Sequence, residues 1–257
     1  MPQNADSHEH VKPYVYETPH SKALHFTISQ IQSRMQTNRP DALDLDYTRT
    51  MMGVLLFNSR PESLAMIGLG GGSLAKFCHR HLPATRIKVV EINPHVIALR
   101  DEFGIPSDDQ RFKVRRGDGA AYVQEAPYPV DVLMVDGFDS EGQPPALCSQ
   151  RFYDDCYDTL QPGGILVVNL HAWHDSYEVF IDRISRSFAN EVLVVPGADC
   201  SNNIVFASKG TLLPRFNPSI LRKHVQFDQQ TWNELRPAFV RVASALMKQA
   251  EGRSRAT

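Results

Sequence analysis

The sequence predicts an α/β fold, a mainly parallel sheet covered by helices and preceded by a small N-terminal β unit. Three observations carry the prediction. From about residue 58 onward, short apolar runs alternate with stretches of helical spacing, the pattern of repeated strand–helix–strand units. The first run, in SLAMIGLGGGSLAKF, ends in a cluster of glycines, Gly68, Gly70, Gly71 and Gly72. The second, IKVVEINP, ends in an acid, Glu91. Strand, glycine turn, helix, strand and terminal acid make the nucleotide half of a doubly wound sheet.

The elements follow in order. The first twelve residues or so are polar and are expected to be disordered. Residues 14–32 alternate apolar and polar side chains, which predicts a β-hairpin or short meander. MQTNRPD reads as a turn. Residues 41–57 have helical spacing after an Asp start and predict the first helix. Residues 1–57 therefore form an N-terminal unit, and 58–257 a Rossmann-like domain. In that domain, strands are expected at 64–69, 87–91, 112–116, 130–135 and 165–170, with two last strands at 192–196 and 203–208. Helices are expected at 73–81, 94–103, 151–160 and 176–188, with a helix start after GDG. QPGG reads as a helix-ending turn, and the tail EGRSRAT as frayed.

Composition narrows the function classes. The chain has 257 residues, is 42% hydrophobic and carries a formal net charge of −2, which gives no reason to expect nucleic acid or an anionic membrane as partner. Cys78, Cys148, Cys156 and Cys200 show no metal-ligand spacing, so reduced thiols in a cytoplasmic protein are expected. The polar N-terminus does not read as a signal peptide. No apolar run approaches the ~18 residues of a membrane span.

In a doubly wound sheet the ligand sits beyond the carboxyl ends of the strands. The polar residues there are the Gly68–Ser73 turn, Glu91, Asp118, Asp136 with Asp139, and Asn169 with His171. The GxGxG turn lets the backbone approach a ligand, and it suits a class I S-adenosylmethionine-type site at least as well as a dinucleotide site. A tight turn without a ligand is the plainer alternative. Glu91, at the end of a buried strand, needs donors, and ribose hydroxyls are suitable ones; a surface acid capping the next helix is its alternative. Asp118, in RRGDGAAY, can face an adenine amino group, cap the following helix, or do both. Asp136 and Asp139 suit a cationic amine, one taking a proton from the attacking nitrogen and the other holding the chain; incidental turn acids are the alternative. His171, in HAWH, can line the acceptor pocket or act as a base. It has no partner acids at metal-ligand spacing, and no metal is expected.

These residues resemble a family. GLGGGSLAKF, VVEINPHVI, RRGDGAAYV and VDGFDSEGQPPALCSQRFYDDCYDTLQPGGILVVNL are similar to the spermidine synthase (polyamine aminopropyltransferase) family, over roughly residues 64–170 and more weakly beyond, and mark a divergent member. The resemblance implies a small β unit on a Rossmann-like class I methyltransferase fold. It implies transfer of an aminopropyl group from decarboxylated S-adenosylmethionine to a di- or polyamine, with methylthioadenosine as the other product, and a homodimer. By position, Gly68, Gly70, Gly72, Ser73, Glu91, Asp118 and Gly119 would bind the cofactor. Asp136 would be the catalytic aspartate that helps deprotonate the amine, and Asp139, Gln32 and Tyr47 would line the amine site, to which the strand-end reading adds His171.

Two departures keep alternatives open. Ser73 stands where well-characterised members carry an Asp that contacts the cofactor's aminopropyl amine, and the DSSDPxGP pattern reads DGFDSEGQPP. A neutral Ser73 is also compatible with the carboxylate of intact S-adenosylmethionine, and so with a small-molecule methyltransferase. A nucleoside-binding protein without catalysis is the non-enzymatic alternative.

Overall fold

The computed structural model describes residues 10–27, 30–126, 128–139, 142–198, 201–212, 216–222 and 227–256. The first nine residues of the expected polar N-terminal stretch, and Cys200, lie outside them. Strands β1 (Tyr14–Glu17), β2 (Ser21–Thr27) and β3 (Gln30–Gln36) form an antiparallel meander. The expected turn therefore starts later than MQTNRPD, because Met35 and Gln36 pair with Lys22 and Ser21.

The main sheet has seven strands: β4 (Ser63–Ile67), β5 (Arg86–Glu91), β6 (Phe112–Arg116), β7 (Val130–Val135), β8 (Leu160–His171), β9 (Val192–Pro196) and β10 (Asn202–Ser208). Their spatial order is β6-β5-β4-β7-β8-β10-β9. The first five in that order run parallel, and β10 is antiparallel to both neighbours. This is the Rossmann-like class I methyltransferase arrangement. The near-continuous apolar strands are those of a sheet buried on both faces. Along β4, Leu64 and Met66 enter the core on one face, while Ala65 and Ile67 enter the core on the other.

Helices α1 (Asp46–Met51), α2 (Ser73–His81), α3 (Pro94–Ile97), α4 (Gly119–Glu125), α5 (Gln150–Thr159), α6 (Tyr177–Ser187) and α7 (Gln229–Ala256) cover the sheet. Four expectations are corrected. The first helix starts at Asp46 rather than residue 41, because Asp41 and Asp44 are held outward by Arg80, Arg34 and Gln36. It then tightens into a 3-10 turn over Met52–Leu56, where Gly53 lies against Val242 of α7. The second expected helix stops at Ile97; the chain continues in turns that bury Phe103 beneath Gly71. QPGG does not separate helix from strand. Leu160 pairs with Val130 and Ile165 with Val132, so residues 161–164 form a bulge within β8. The described part of the tail read as frayed, residues 251–256, belongs to α7, a long helix that sequence analysis missed altogether. Its buried Leu235, Phe239, Val242 and Leu246 recur at helical spacing. Among the described residues, no helix is long and apolar enough to cross a membrane.

Candidate active site

A cavity of about 590 Å³ opens at the carboxyl ends of β4, β5, β7 and β8. Of the residues singled out in the sequence, Gln32, Tyr47, Gly68, Gly70, Ser73, Glu91, Asp118, Gly119, Asp136, Asp139 and His171 line it. Gly72 does not. It caps α2 with φ of 71°, and a Cβ there would meet Ile105 at 2.4 Å, on the core side of the turn.

The glycine turn and the two nearest strand ends form one side. Gly68 has φ of +96°, and a Cβ on it would lie 2.2 Å from the carbonyl oxygen of Asp136. Only glycine permits both that conformation and that approach. Glu91 is 8% exposed. Its Oε2 accepts from Leu69 N–H at 2.8 Å and its Oε1 from Asn93 N–H at 2.8 Å. Burial raises its pKa, and the backbone N–H groups pull it back down. Each oxygen keeps acceptor capacity for a hydroxyl. Asp118 is exposed and caps α4, its Oδ1 accepting from Ala120 and Ala121 at 2.6 and 3.0 Å. Capping and cavity lining thus coexist in this side chain. The hydroxyl of Ser73 meets that of Ser33 on β3 at 3.2 Å, which joins the small sheet to the glycine turn.

The other side centres on Asp136. Tyr47 O–H donates to its Oδ2 at 3.1 Å, and Asn169 Nδ2 donates to its Oδ1 at 2.9 Å. Burial raises the Asp136 pKa, against the opposing pull of these two bonds. The Tyr47 hydroxyl is pushed well above the ordinary phenol range, first by burial and then by the Asp136 charge. Asp139 is exposed, on a loop closed by backbone bonds with Gly142. His171 stacks between Phe138 (4.3 Å between ring centres) and Trp173 (4.9 Å). Burial lowers its pKa, and nearby His174 lowers it further, so the ring is neutral near pH 7. Its Nδ1 is buried without a hydrogen-bond partner among the described residues.

Sequence reasoning placed Asn169 at a strand end without assigning it a contact. It missed Ser33, Ser201 and Asn202, all of which line the cavity. The alternating pattern of residues 14–32 was the available signal for the first. The other two depend on the pairing of β10 with β8, which no local pattern specifies. The described lining residues include four carboxylates, Glu91, Asp118, Asp136 and Asp139, and no Lys or Arg. The site therefore favours cationic ligands.

Comparisons with known proteins place the chain in a family. Residues 44–189 match the spermine/spermidine synthase domain model. A polyamine aminopropyltransferase from Neisseria meningitidis serogroup A is 38% identical over 195 residues, covering 75% of this chain and 74% of the relative. An eEF1A lysine and N-terminal methyltransferase from Xenopus laevis is 36% identical over 118 residues, but covers only 42% of this chain and 17% of the relative. The crystal structure of spermidine synthase from Thermotoga maritima superposes with a TM-score of 0.63 at 20% identity, covering 86% of this chain and 82% of that one, and supports the fold. The domain model takes in more than half of the chain, and the Neisseria relative aligns with three quarters of it, so this protein belongs to the spermine/spermidine synthase family.

Proposed function

We propose that this chain is a transferase that moves an aminopropyl group from decarboxylated S-adenosylmethionine to a di- or polyamine. The observation that carries the reading is one cavity joining the glycine turn and Glu91 to the Asp136–Asp139 loop, whose described lining residues include four carboxylates and no Lys or Arg. The decarboxylated donor bears a sulfonium and an ammonium, and the acceptor is a polycation. Intact S-adenosylmethionine adds a carboxylate, for which the described lining residues offer no Lys or Arg. This charge balance weighs for the decarboxylated donor even though Ser73 is neutral.

The donor's adenosyl part would lie on the glycine turn. Glu91 would accept from the ribose hydroxyls with the lone pairs its backbone donors leave free, and the Asp118–Gly119 turn would face the adenine. Gln32, Ser33 and Ser73 would surround the donor's aminopropyl end with neutral polar groups. The acceptor would enter past Asp139 and the Phe138–His171–Trp173 stack. A neutral His171 ring leaves the acceptor's charge unopposed there, and the exposed Trp173 ring stacked on it supplies a π face that would attract ammonium groups.

The reaction is one displacement. The amine lone pair forms a bond to the methylene carbon beside the sulfonium, and the carbon–sulfur bond breaks. Its electron pair stays on sulfur, so methylthioadenosine leaves neutral. The proton lost by the attacking nitrogen passes to Asp136, directly or through water. The donor already carries its leaving group, so the protein's part is alignment and an unprotonated nucleophile. Incubation with each form of the donor and a polyamine panel, with products identified by mass spectrometry, tests the assignment. Aminopropylated amine and methylthioadenosine are expected with the decarboxylated donor. Methylated product from the intact donor would overturn the assignment in favour of methyl transfer.

A further inference from the structure

Beyond Asp136 runs a chain of side-chain hydrogen bonds that crosses from β7 through β8 to β10. Asn169 Nδ2 donates to Asp136 Oδ1 at 2.9 Å. Asn202 Nδ2 donates to Asn169 Oδ1 at 2.8 Å, and Ser201 Oγ donates to Asn202 Oδ1 at 2.9 Å. Asn169 is 2% exposed. The antiparallel ladder sets the spacing, with Asn202 opposite His171 and Ile204 opposite Asn169.

The direction of every link follows from its end. An ionised carboxylate only accepts, so Asn169 must turn its NH₂ group to Asp136. Its carbonyl oxygen then faces Asn202, which must offer its own NH₂. The oxygen of Asn202 is left to the Ser201 hydroxyl. The opposite polarity is also self-consistent, but only when Asp136 is protonated and donates to the Asn169 oxygen. The chain therefore has two arrangements, and the one drawn here belongs to ionised Asp136.

We propose that Asn202 is a positioning residue that locks the Asn169 amide with its donor toward Asp136 and so keeps Asp136 ionised and aimed at the acceptor amine. The inference rests on Asp136 being the proton acceptor. Asn202→Asp makes the case sharply. It is isosteric, but both ends of Asn169 would then face acceptors, and one NH₂ group cannot satisfy both. Protonation of Asp136 would relieve the conflict. The other titratable groups lining the cavity are Tyr47 on α1, Glu91 on β5, Asp118 before α4, Asp139 on the loop after β7, His171 on β8, and His10 before β1.

The test is kcat/KM for the amine at saturating donor, measured from about pH 5 to about pH 9. The free amine's own ionisation is common to all variants, so any difference between profiles belongs to the enzyme. Asn202→Asp is expected to lower kcat/KM about tenfold at neutral pH, the scale of one charge-assisted hydrogen bond. It is also expected to move the acid-side inflection upward while donor affinity stays unchanged. Asn202→Ala should shift the profile in the same direction by less. The pair Asn169→Ala with Asn202→Ala should be no worse than Asn169→Ala alone, because the second residue acts through the first. A wild-type profile for Asn202→Asp, or losses that multiply in the double variant, would overturn the proposal while an inactive Asp136→Asn still upheld the base. A fully active Asp136→Asn would overturn the reading beneath it. Should Asn202→Asp fail to fold, Asn202→Ser, which removes the amide donor but stays polar, carries the same comparison.

Discussion

Asp136→Asn separates catalysis from stability at one position. The side chain keeps its shape and loses its charge. Tyr47 can still donate to the remaining oxygen, and the new NH₂ group can donate to Asn169 only once the Asn169–Asn202 amide chain reverses, so a charge-assisted bond is exchanged for a neutral one, at about 1 kcal/mol. A second effect opposes this. Burial raises the Asp136 pKa in the folded protein, so in the window above the ordinary Asp value the folded state binds more protons than the unfolded chain. Stability then falls as pH rises through that window, and at neutral pH the folded protein carries the full cost of the buried charge. The Asn variant is free of that cost. Its melting temperature at neutral pH is therefore expected within about 4 °C of the parent, the scale of about 1 kcal/mol in a chain of this size. Turnover is expected to fall about 10²- to 10⁴-fold, which is about 3–5 kcal/mol of barrier. Methylthioadenosine release read by mass spectrometry, beside calorimetric donor binding and a thermal melt, makes the measurement. Parental turnover would refute the role of Asp136. A loss of turnover matched by a loss of donor binding or of folding would refute the argument that the loss is chemical.

Three further outcomes are expected. Glu91→Gln should weaken donor binding about tenfold with little change in the amine KM, because the amide presents one acceptor oxygen where Leu69 N–H, Asn93 N–H and the ribose would need two; calorimetry measures it. Gly68→Ala should destabilise the protein by at least about 2 kcal/mol in denaturant titration and abolish turnover, since its Cβ would strike the Asp136 carbonyl at 2.2 Å in a left-handed conformation. Lys76→Met should stabilise the protein at neutral pH. The ammonium is 1% exposed, bonded to the Phe103 carbonyl, and burial lowers its pKa to about 8 from 10.5. The folded state thus binds fewer protons than the unfolded chain between those values, so parental stability should rise with pH across that window and the advantage of Met should shrink; urea titrations at both ends of the window check it.

Much of this was readable in the sequence because parallel strands buried on both faces announce themselves. Residues 130–135, paired in parallel with β4 and β8, read as a strand and are a strand with those limits; the edge residues 112–116 and 192–196 also keep their expected limits. The glycine turn and the acids at strand ends were legible for the same reason, since the fold class fixes where strand ends meet. Local pattern failed where tertiary contacts override it. The start of α1 was displaced by the ion pairs of Asp41 and Asp44, whose partners lie on α2 and β3. The bulge at residues 161–164 took the form of a helix stop because its Pro and Gly are the same in both uses. At the site, Asn202 was invisible because its role is defined by a partner across the antiparallel pair β8–β10, not by any neighbour in sequence.

The pairing of β4 with β7 explains why donor and acceptor machinery sit side by side although they lie far apart in the chain. Ile67 pairs with Val135 in parallel register, so the next residues, Gly68 and Asp136, leave the sheet together. Asp136 N–H donates to the Ile67 carbonyl at 2.9 Å, and the Asp136 carbonyl sits against Cα of Gly68, in the space a side chain would take. The glycine at the start of the turn thus serves two functions. It would let the backbone approach the adenosyl part of the proposed donor, and it removes the Cβ that would push the Asp136 strand end away. In the proposed displacement the nucleophile's proton acceptor must lie within reach of the carbon bound to the sulfonium, and this register would place Asp136 beside the donor's turn. The residual freedom lies in the orientation of the Asp136 carboxylate. Tyr47 from α1 and Asn169 from β8 each hold one of its oxygens, so the sheet sets its position and two neighbouring elements set its direction.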